Sequence, residues 1–487
     1  MNFVSLEFLL FFPLVLILYW WLPFRYRWAF LLAASYLFYL YWAPWTLVLL
    51  FGTTLISFIA ARAVDGAQSK AQGKFWLVLA LVVCLGCLIV FKYLGFLMDN
   101  VTALLQLFGA PKQDIILNIF LPVGISFYTF QALSYVIDVY RKEIHSETHF
   151  GYFALFIAYF PQVVAGPIER PTNLLPQLRT PQTLKAADLL EGLRLALRGF
   201  FKKVVIADYL AVFVNAVYGA PEQAKGPAIV IATILFAFQI YCDFSGYSDI
   251  AVGVARMMGI RLMTNFDNPY SAISIQEFWH KWHISLTSWF SDYIYKPLGG
   301  SHKGMIRRCV NVMIVFLISG VWHGASWTFI IWGGIHGVYS VIGILWRKFR
   351  GERLQKNPAG IRRYGRVCFT FSLVCFAWLF FRAGSLTEAN LLLKHLATGW
   401  SPQGVISALQ LLQLNRLDVV RIILVLACLP VLEKLPEWLA LETDSAYPLR
   451  AGVKRALVVF QMITLIGLAW LALLSVHGGS SFIYFQF

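Results

Sequence analysis

Charge is what this sequence has least of. Only 13% of its 487 residues are Asp, Glu, Lys or Arg, against 59% hydrophobic, where soluble domains carry about 25% charged residues. That shortage excludes an ordinary soluble enzyme and points to an all-α, polytopic integral membrane protein in which the bilayer stands in for a core. Acidic residues are scarcer than basic ones, 24 against 40, for a formal charge of +16. In a membrane chain this imbalance reads as cytoplasmic loops rich in Lys and Arg, so no nucleic-acid partner is inferred. The seven cysteines all lie in or beside apolar segments, including Cys84-Leu-Gly-Cys87. They read as small apolar helix residues, with no disulfide and no metal. No His-Glu-x-x-His motif, no internal repeat and no low-complexity linker is found. The start shows neither a basic n-region nor a small-residue cleavage site, so Phe8–Leu16 reads as a retained span.

Roughly eleven to thirteen apolar segments can be marked. They fall near 6–23, 28–42, 45–61, 75–96, 114–140, 150–166, 189–219, 226–258, 309–322, 325–346, 364–381, 417–433 and 456–476. Some are too short for a straight span, so tilted, broken or re-entrant helices are expected. The groups Arg25/Arg27, Arg62/Lys70/Lys74 and Arg141/Lys142 are two segments apart each, which puts them on one side, the cytoplasm. The loop Arg347–Arg366 adds eight cations against one Glu, and Arg450/Lys454/Arg455 follows two spans later. Both termini then face the periplasm. One membrane-embedded unit over 1–487 is expected, with its core at about 114–346 and C-terminal spans in 364–476.

Three stretches are too polar to face lipid. Leu121–Ala132 opens with Pro122 and Gly124, and Phe160–Arg170 holds Pro161, Gly166 and Pro167, which suits a re-entrant turn. Gln239–Asp249 places Asp243, Ser245, Tyr247 and Asp249 inside an apolar run. Irregular or charged backbone at membrane depth survives only against protein or a water-filled passage. For Asp243 and Asp249 two readings stand: a hydrogen-bonded helix break that shapes the fold, or contact with substrate.

The chain's organising residue is His323, in Ser319-Gly-Val-Trp-His-Gly-Ala-Ser326. Gly320 and Gly324 allow close approach, and Trp322 and Trp327 can wall a site. Desolvation disfavours a charged ring there, and neutral imidazole is the form that accepts a proton from a hydroxyl. The bland alternative is a buried histidine satisfied by a backbone carbonyl. Upstream, Glu277, His280 and His283 read as one helical face. A zinc site would need at least three placed ligands, and an aromatic helix with Trp279, Trp282 and Trp289 at headgroup depth fits better. His145, His149, His302, His395 and His477 read as loop or interface residues, and the role of His336 is open.

Together the stretches Leu121–Arg141, Tyr159–Arg170, Asp243–Gly259, Asn265–Gly300, Ser319–Trp327, Trp378–Arg382 and Phe482–Phe487 resemble the membrane-bound O-acyltransferase family. The likeness is greatest to its bacterial branch that O-acetylates alginate and other exported polysaccharides. The resemblance implies a ring of helices around a central tunnel, with His323 and His283 at the catalytic positions. Asp243, Ser245, Tyr247, Asn265, Glu277, Trp282 and Trp322 are expected along the tunnel. Ser291 and His280 depart from the basic residues common there. No bound cofactor is implied. Acetyl-CoA is the expected acyl donor, and a periplasmic esterase-like protein and the polysaccharide are the expected partners in a bacterial inner membrane. D-alanyl transfer to teichoic acid is the alternative within the family; a polysaccharide or proton-coupled transporter is the alternative outside it.

Overall fold

The computed structural model describes residues 1–42, 44–109, 121–350 and 360–444. The expected span 456–476, the group Arg450/Lys454/Arg455, His477 and the stretch Phe482–Phe487 lie outside the described residues, as does most of the basic loop after Arg350. Among the described residues the chain is helical, with no strand beyond one isolated bridge between Phe266 and Trp282.

The N-terminal helices are α1 (Leu6–Trp21), α2 (Phe24–Leu40), α3 (Thr46–Asp65), α4 (Lys70–Leu88) and α5 (Leu94–Leu107), the last two joined by a π-helical turn at Ile89–Tyr93. Next come α6 (Ile125–Tyr140), α7 (Phe150–Ala158), α8 (Pro171–Arg179), α9 (Ala186–Phe200), α10 (Asp208–Tyr218) and the 32-residue α11 (Gly226–Met257). The short pair α12 (Ile275–Lys281) and α13 (Ile284–Phe290) precedes α14 (Met305–His323), α15 (Trp327–Arg350) and α16 (Ile361–Arg382). Helices α17 (Leu386–Leu396), α18 (Pro402–Leu411) and α19 (Arg416–Asp444) follow.

Six of these are long and apolar enough to cross a membrane: α3, α4 running on through α5, α11, α14, α15 and α16. The protein is thus an all-α polytopic membrane protein. Among the described residues, other apolar segments form shorter pieces. Segment 150–166, for instance, is the nine-residue α7 followed by a non-helical run, buried from Tyr159 to Glu169. That run was expected as a re-entrant turn, and it packs against the other irregular stretch. Gly124, at φ +77° before α6, comes so close that a Cβ would lie 2.3 Å from the Val163 carbonyl oxygen. A side chain is barred there twice, by φ and by space.

Helices α9 and α11 are held nearly backbone to backbone. A Cβ on Gly199 would sit 2.4 Å from the Gly246 carbonyl oxygen, and one on Gly192 would sit 2.5 Å from that of Gly253, with reciprocal clashes from the other helix. Both pairs are seven residues apart, so one small-residue seam runs along each helix. We expect Gly199→Leu to abolish accumulation of folded protein in membranes, whereas Gly86→Leu, where nothing lies within 4 Å, leaves it near wild type. Comparing the two yields after detergent extraction checks this.

Helix α11 also corrects one expectation. It passes through Gln239–Asp249 without interruption, so Asp243 and Asp249 mark no helix break.

Candidate active site

His323 is the last residue of α14, only 4% exposed, with Gly324 leaving the helix in extended conformation. Tight packing of α15 on α14 fixes that end. Cβ atoms on Gly320 and Gly333 would lie 2.4 Å from Phe329 O and 2.3 Å from Phe316 O. The imidazole stands edge-on to Trp322 and Trp332, centroids 4.9 Å away in each case, and to Phe381 at 5.5 Å.

His283 reaches the same place by a different route. It does not share a helical face with Glu277 and His280, as the spacing had suggested. Helix α12 ends at Lys281, and His283 takes left-handed dihedrals, φ +46° and ψ 55°, ahead of α13. A non-glycine residue holds that conformation only where its surroundings impose it. Here Asn265 does so: its carbonyl accepts the Ile284 N–H at 2.9 Å and its Oδ1 accepts the Ser285 hydroxyl at 2.6 Å. The twist turns His283 inward while His280 stays exposed. Its ring meets Phe244 at 4.7 Å, Trp322 at 6.0 Å and Phe127 at 6.2 Å. Trp322 therefore touches both histidines. Burial pushes the His283 imidazole down to about 3, so the ring is neutral at physiological pH. Among the described residues neither of its nitrogens meets a hydrogen-bond partner, nor do the indole N–H groups of Trp322 and Trp332. Buried donors left open in this way suit water or a bound substrate.

Other expected residues are placed elsewhere. Asp243 pairs with Lys203 at 2.7 Å, and Asp249 takes Arg198 at 2.8 Å and Lys202 at 3.1 Å. Tyr247 stacks on Phe3 at 4.5 Å, while the α11 side chain that touches His283 is Phe244. Ser245 is buried. Glu277 is engaged by Lys281 at 3.1 Å and by the Ile273 N–H at 2.9 Å. Trp282 is fully buried against Phe266, Phe278 and Trp378, and Trp279 and Trp289 are 7% and 5% exposed. These tryptophans face the protein core rather than headgroups. Trp279 donates to Nδ1 of His336 at 3.3 Å, so His336 is part of the aromatic packing behind His323. Ser291 opens a π-helical turn in which Asp292 pairs with Arg170 at 2.9 Å and Lys296 at 2.6 Å. Among the described residues no three His, Cys, Asp or Glu side chains come together as metal ligands.

A cavity of about 50 Å³ opens beside His323, lined also by Lys92, Gly124, Ser126, Phe127 and Trp322. Lys92 is the residue the sequence reading passed over. Its signal was there, a lone cation in the apolar segment 75–96. The buried run behind the cavity holds Glu169, whose carboxylate accepts the Met263 N–H at 2.5 Å and the Asn173 amide at 2.7 Å. Burial raises this carboxyl from its ordinary 4.5 to about 7. A raised folded-state value confers stability that is full below about 4.5 and lost as pH rises through about 7. Melting temperature is therefore expected to fall from pH 5 to pH 8, and Glu169→Gln, which keeps an acceptor without charge, to flatten that slope.

Residues 141–383 match the model of MBOAT, the membrane-bound O-acyltransferase family. The chain is 40% identical over 381 residues to the probable alginate O-acetylase AlgI of Azotobacter vinelandii, covering 78% of this chain and 74% of that protein. It is 33% identical over 390 residues to the peptidoglycan O-acetyltransferase of Helicobacter pylori, covering 75% and 72%. With the teichoic acid D-alanyltransferase of Streptococcus thermophilus it shares 27% identity over 285 residues, 53% of this chain and 68% of that protein.

Proposed function

The chain belongs to the membrane-bound O-acyltransferase family, and from that premise we propose that it moves acetyl groups from a cytoplasmic thioester, acetyl-CoA, toward an exported polysaccharide such as alginate. The observation that carries this reading is the enclosed pair His283 and His323, both against Trp322. The cavity beside His323 also takes in Lys92, Ser126 and Trp322. Greater identity to the two O-acetylating relatives than to the D-alanyltransferase favours acetyl.

In this mechanism His323 accepts the proton of the acceptor hydroxyl as its oxygen attacks the thioester carbonyl. A C–O bond forms, the tetrahedral oxyanion collapses, the C–S bond breaks, and the thiolate leaves with the proton returned by the imidazolium. His283 and the open indole N–H groups border the place where the oxyanion develops. Basic groups Arg25/Arg27, Arg62/Lys70/Lys74 and Arg141/Lys142 orient the chain in a bacterial inner membrane with both termini periplasmic. They attract the phosphates of the donor. One membrane-embedded catalytic unit over 1–487 passes the acetyl group to a periplasmic esterase-like partner. The test is transfer of radiolabelled acetyl from acetyl-CoA by membranes co-expressing that partner. Label on partner or polymer supports the reading; intact acetyl-CoA, with another thioester consumed instead, overturns the donor.

A further inference from the structure

Helix α14 ends inside the protein, where its last carbonyl oxygens have no helical N–H to accept. The residue that follows, Gly324, reaches back to Gly320 O at only 3.4 Å. Water would serve this end at a surface; here one π-helical turn does. Lys92 Nζ donates to Trp322 O at 2.7 Å and to His323 O at 3.1 Å, and the Tyr93 hydroxyl donates to Val321 O at 2.9 Å. Three consecutive carbonyls at the end of α14 are thus bound by two consecutive residues. A π-turn adds a residue and re-aims its neighbours, and Ile89–Tyr93 is such a turn in the middle of a span. Lys92 also points its remaining donor at Ser126 Oγ, 3.4 Å away across the cavity, and lines that cavity together with His323. A cation in a membrane span costs free energy that function must justify, and a positive charge at a helix C-terminus is where the helix dipole favours it.

From this geometry we infer that Lys92 is a positioning residue for acyl transfer. Its ammonium clamps the main chain of His323 and ties it to the first turn of α6, so that the imidazole meets the acceptor hydroxyl in one geometry. The inference rests on the reading of His323 as base. Misplacing a catalytic group by about 1 Å costs up to roughly 10²-fold in rate, and that sets the expected scale.

The test compares Lys92→Met, Lys92→Gln, Lys92→Arg, Tyr93→Phe and His323→Gln in membranes supplied with labelled acetyl-CoA and the periplasmic partner. Each rate is normalised to folded protein counted by detergent-resistant fluorescence. Lys92→Met is expected to lower kcat about 10- to 100-fold with the donor KM within about 2-fold. Lys92→Arg should recover to within about 5-fold of wild type, since it keeps charge and donors. Tyr93→Phe removes a neighbouring tether that does not line the cavity, and should keep kcat within about 3-fold. Where Lys92→Met does not fold, Lys92→Gln, which keeps donors without charge, gives the same comparison. Wild-type kcat per folded molecule in the uncharged variants, or an equal loss in Tyr93→Phe, overturns the inference. Full activity in His323→Gln instead overturns the base assignment beneath it, so the two failures are told apart.

Discussion

Membranes carrying His323→Ala are expected to transfer acetyl at about 10³-fold below the wild-type rate, with the protein itself still present. Positioned proton transfer contributes roughly 10²- to 10⁴-fold. The ring is walled by Trp322, Trp332 and Phe381, none of which can accept a proton. His283 is held by its own left-handed backbone and by Asn265, so it cannot swing to take over. The alanine does remove ring packing, and a companion His323→Gln keeps most of that volume. Loss of transfer in both variants, with unchanged amounts in the membrane, fits a base. Transfer by His323→Gln at wild-type rate would sink the assignment and leave His323 as a packed aromatic-cage residue.

How much of this was legible beforehand differs from residue to residue. Helices α14, α15 and α16 fall almost where the apolar segments 309–322, 325–346 and 364–381 put them, because long apolar runs are a local signal. His323 at the end of α14 was legible for the same reason: a histidine between glycines where the run stops. His283 reads from its spacing as part of a helix face, and the structure takes it off that face. Its orientation comes from an αL turn that Asn265 enforces from 18 positions upstream, and periodicity carries no trace of that. The tryptophans of α12 and α13 went astray for a related reason. Trp at a membrane boundary and Trp in a packed core look alike in sequence, and only the partners Phe266, Phe316, Phe130 and Trp378 separate them. Lys92 stood out only as a lone cation in an apolar segment; its partners are backbone carbonyls 230 residues away, which no side-chain motif records.

Asp243 and Asp249 were the open case, and the two are expected to separate by experiment. Asp249→Ala leaves Arg198, bonded to it through two nitrogens at 2.8 and 3.0 Å, and Lys202 without their carboxylate. What remains nearby is Glu433, 3.4 Å from Lys202 and itself taken up by the Tyr241 hydroxyl. Removing one partner of a buried ion pair costs about 3–5 kcal/mol, because the surviving charge stays buried without compensation. Asp243→Ala removes a closer contact, Lys203 at 2.7 Å, yet Lys203 keeps Asp208 at 2.8 Å. Its cost should be smaller, closer to that of one charged hydrogen bond, about 1.5–3 kcal/mol. Thermal denaturation in detergent should therefore show Asp249→Ala melting well below Asp243→Ala, and both should transfer acetyl at near wild-type rates per folded molecule. The opposite pattern, normal melting with transfer lost in either variant, would put that carboxylate on the substrate and make the ion pairs incidental. The ion-pair geometry favours the first outcome: each aspartate already has its charge matched by a lysine or arginine from the α9–α10 segment, across the seam where the glycines bring the helices together. Charge matching and close approach are then two halves of one joint. It lets α11 cross the interior with two carboxylates on it and still present Phe244 to His283.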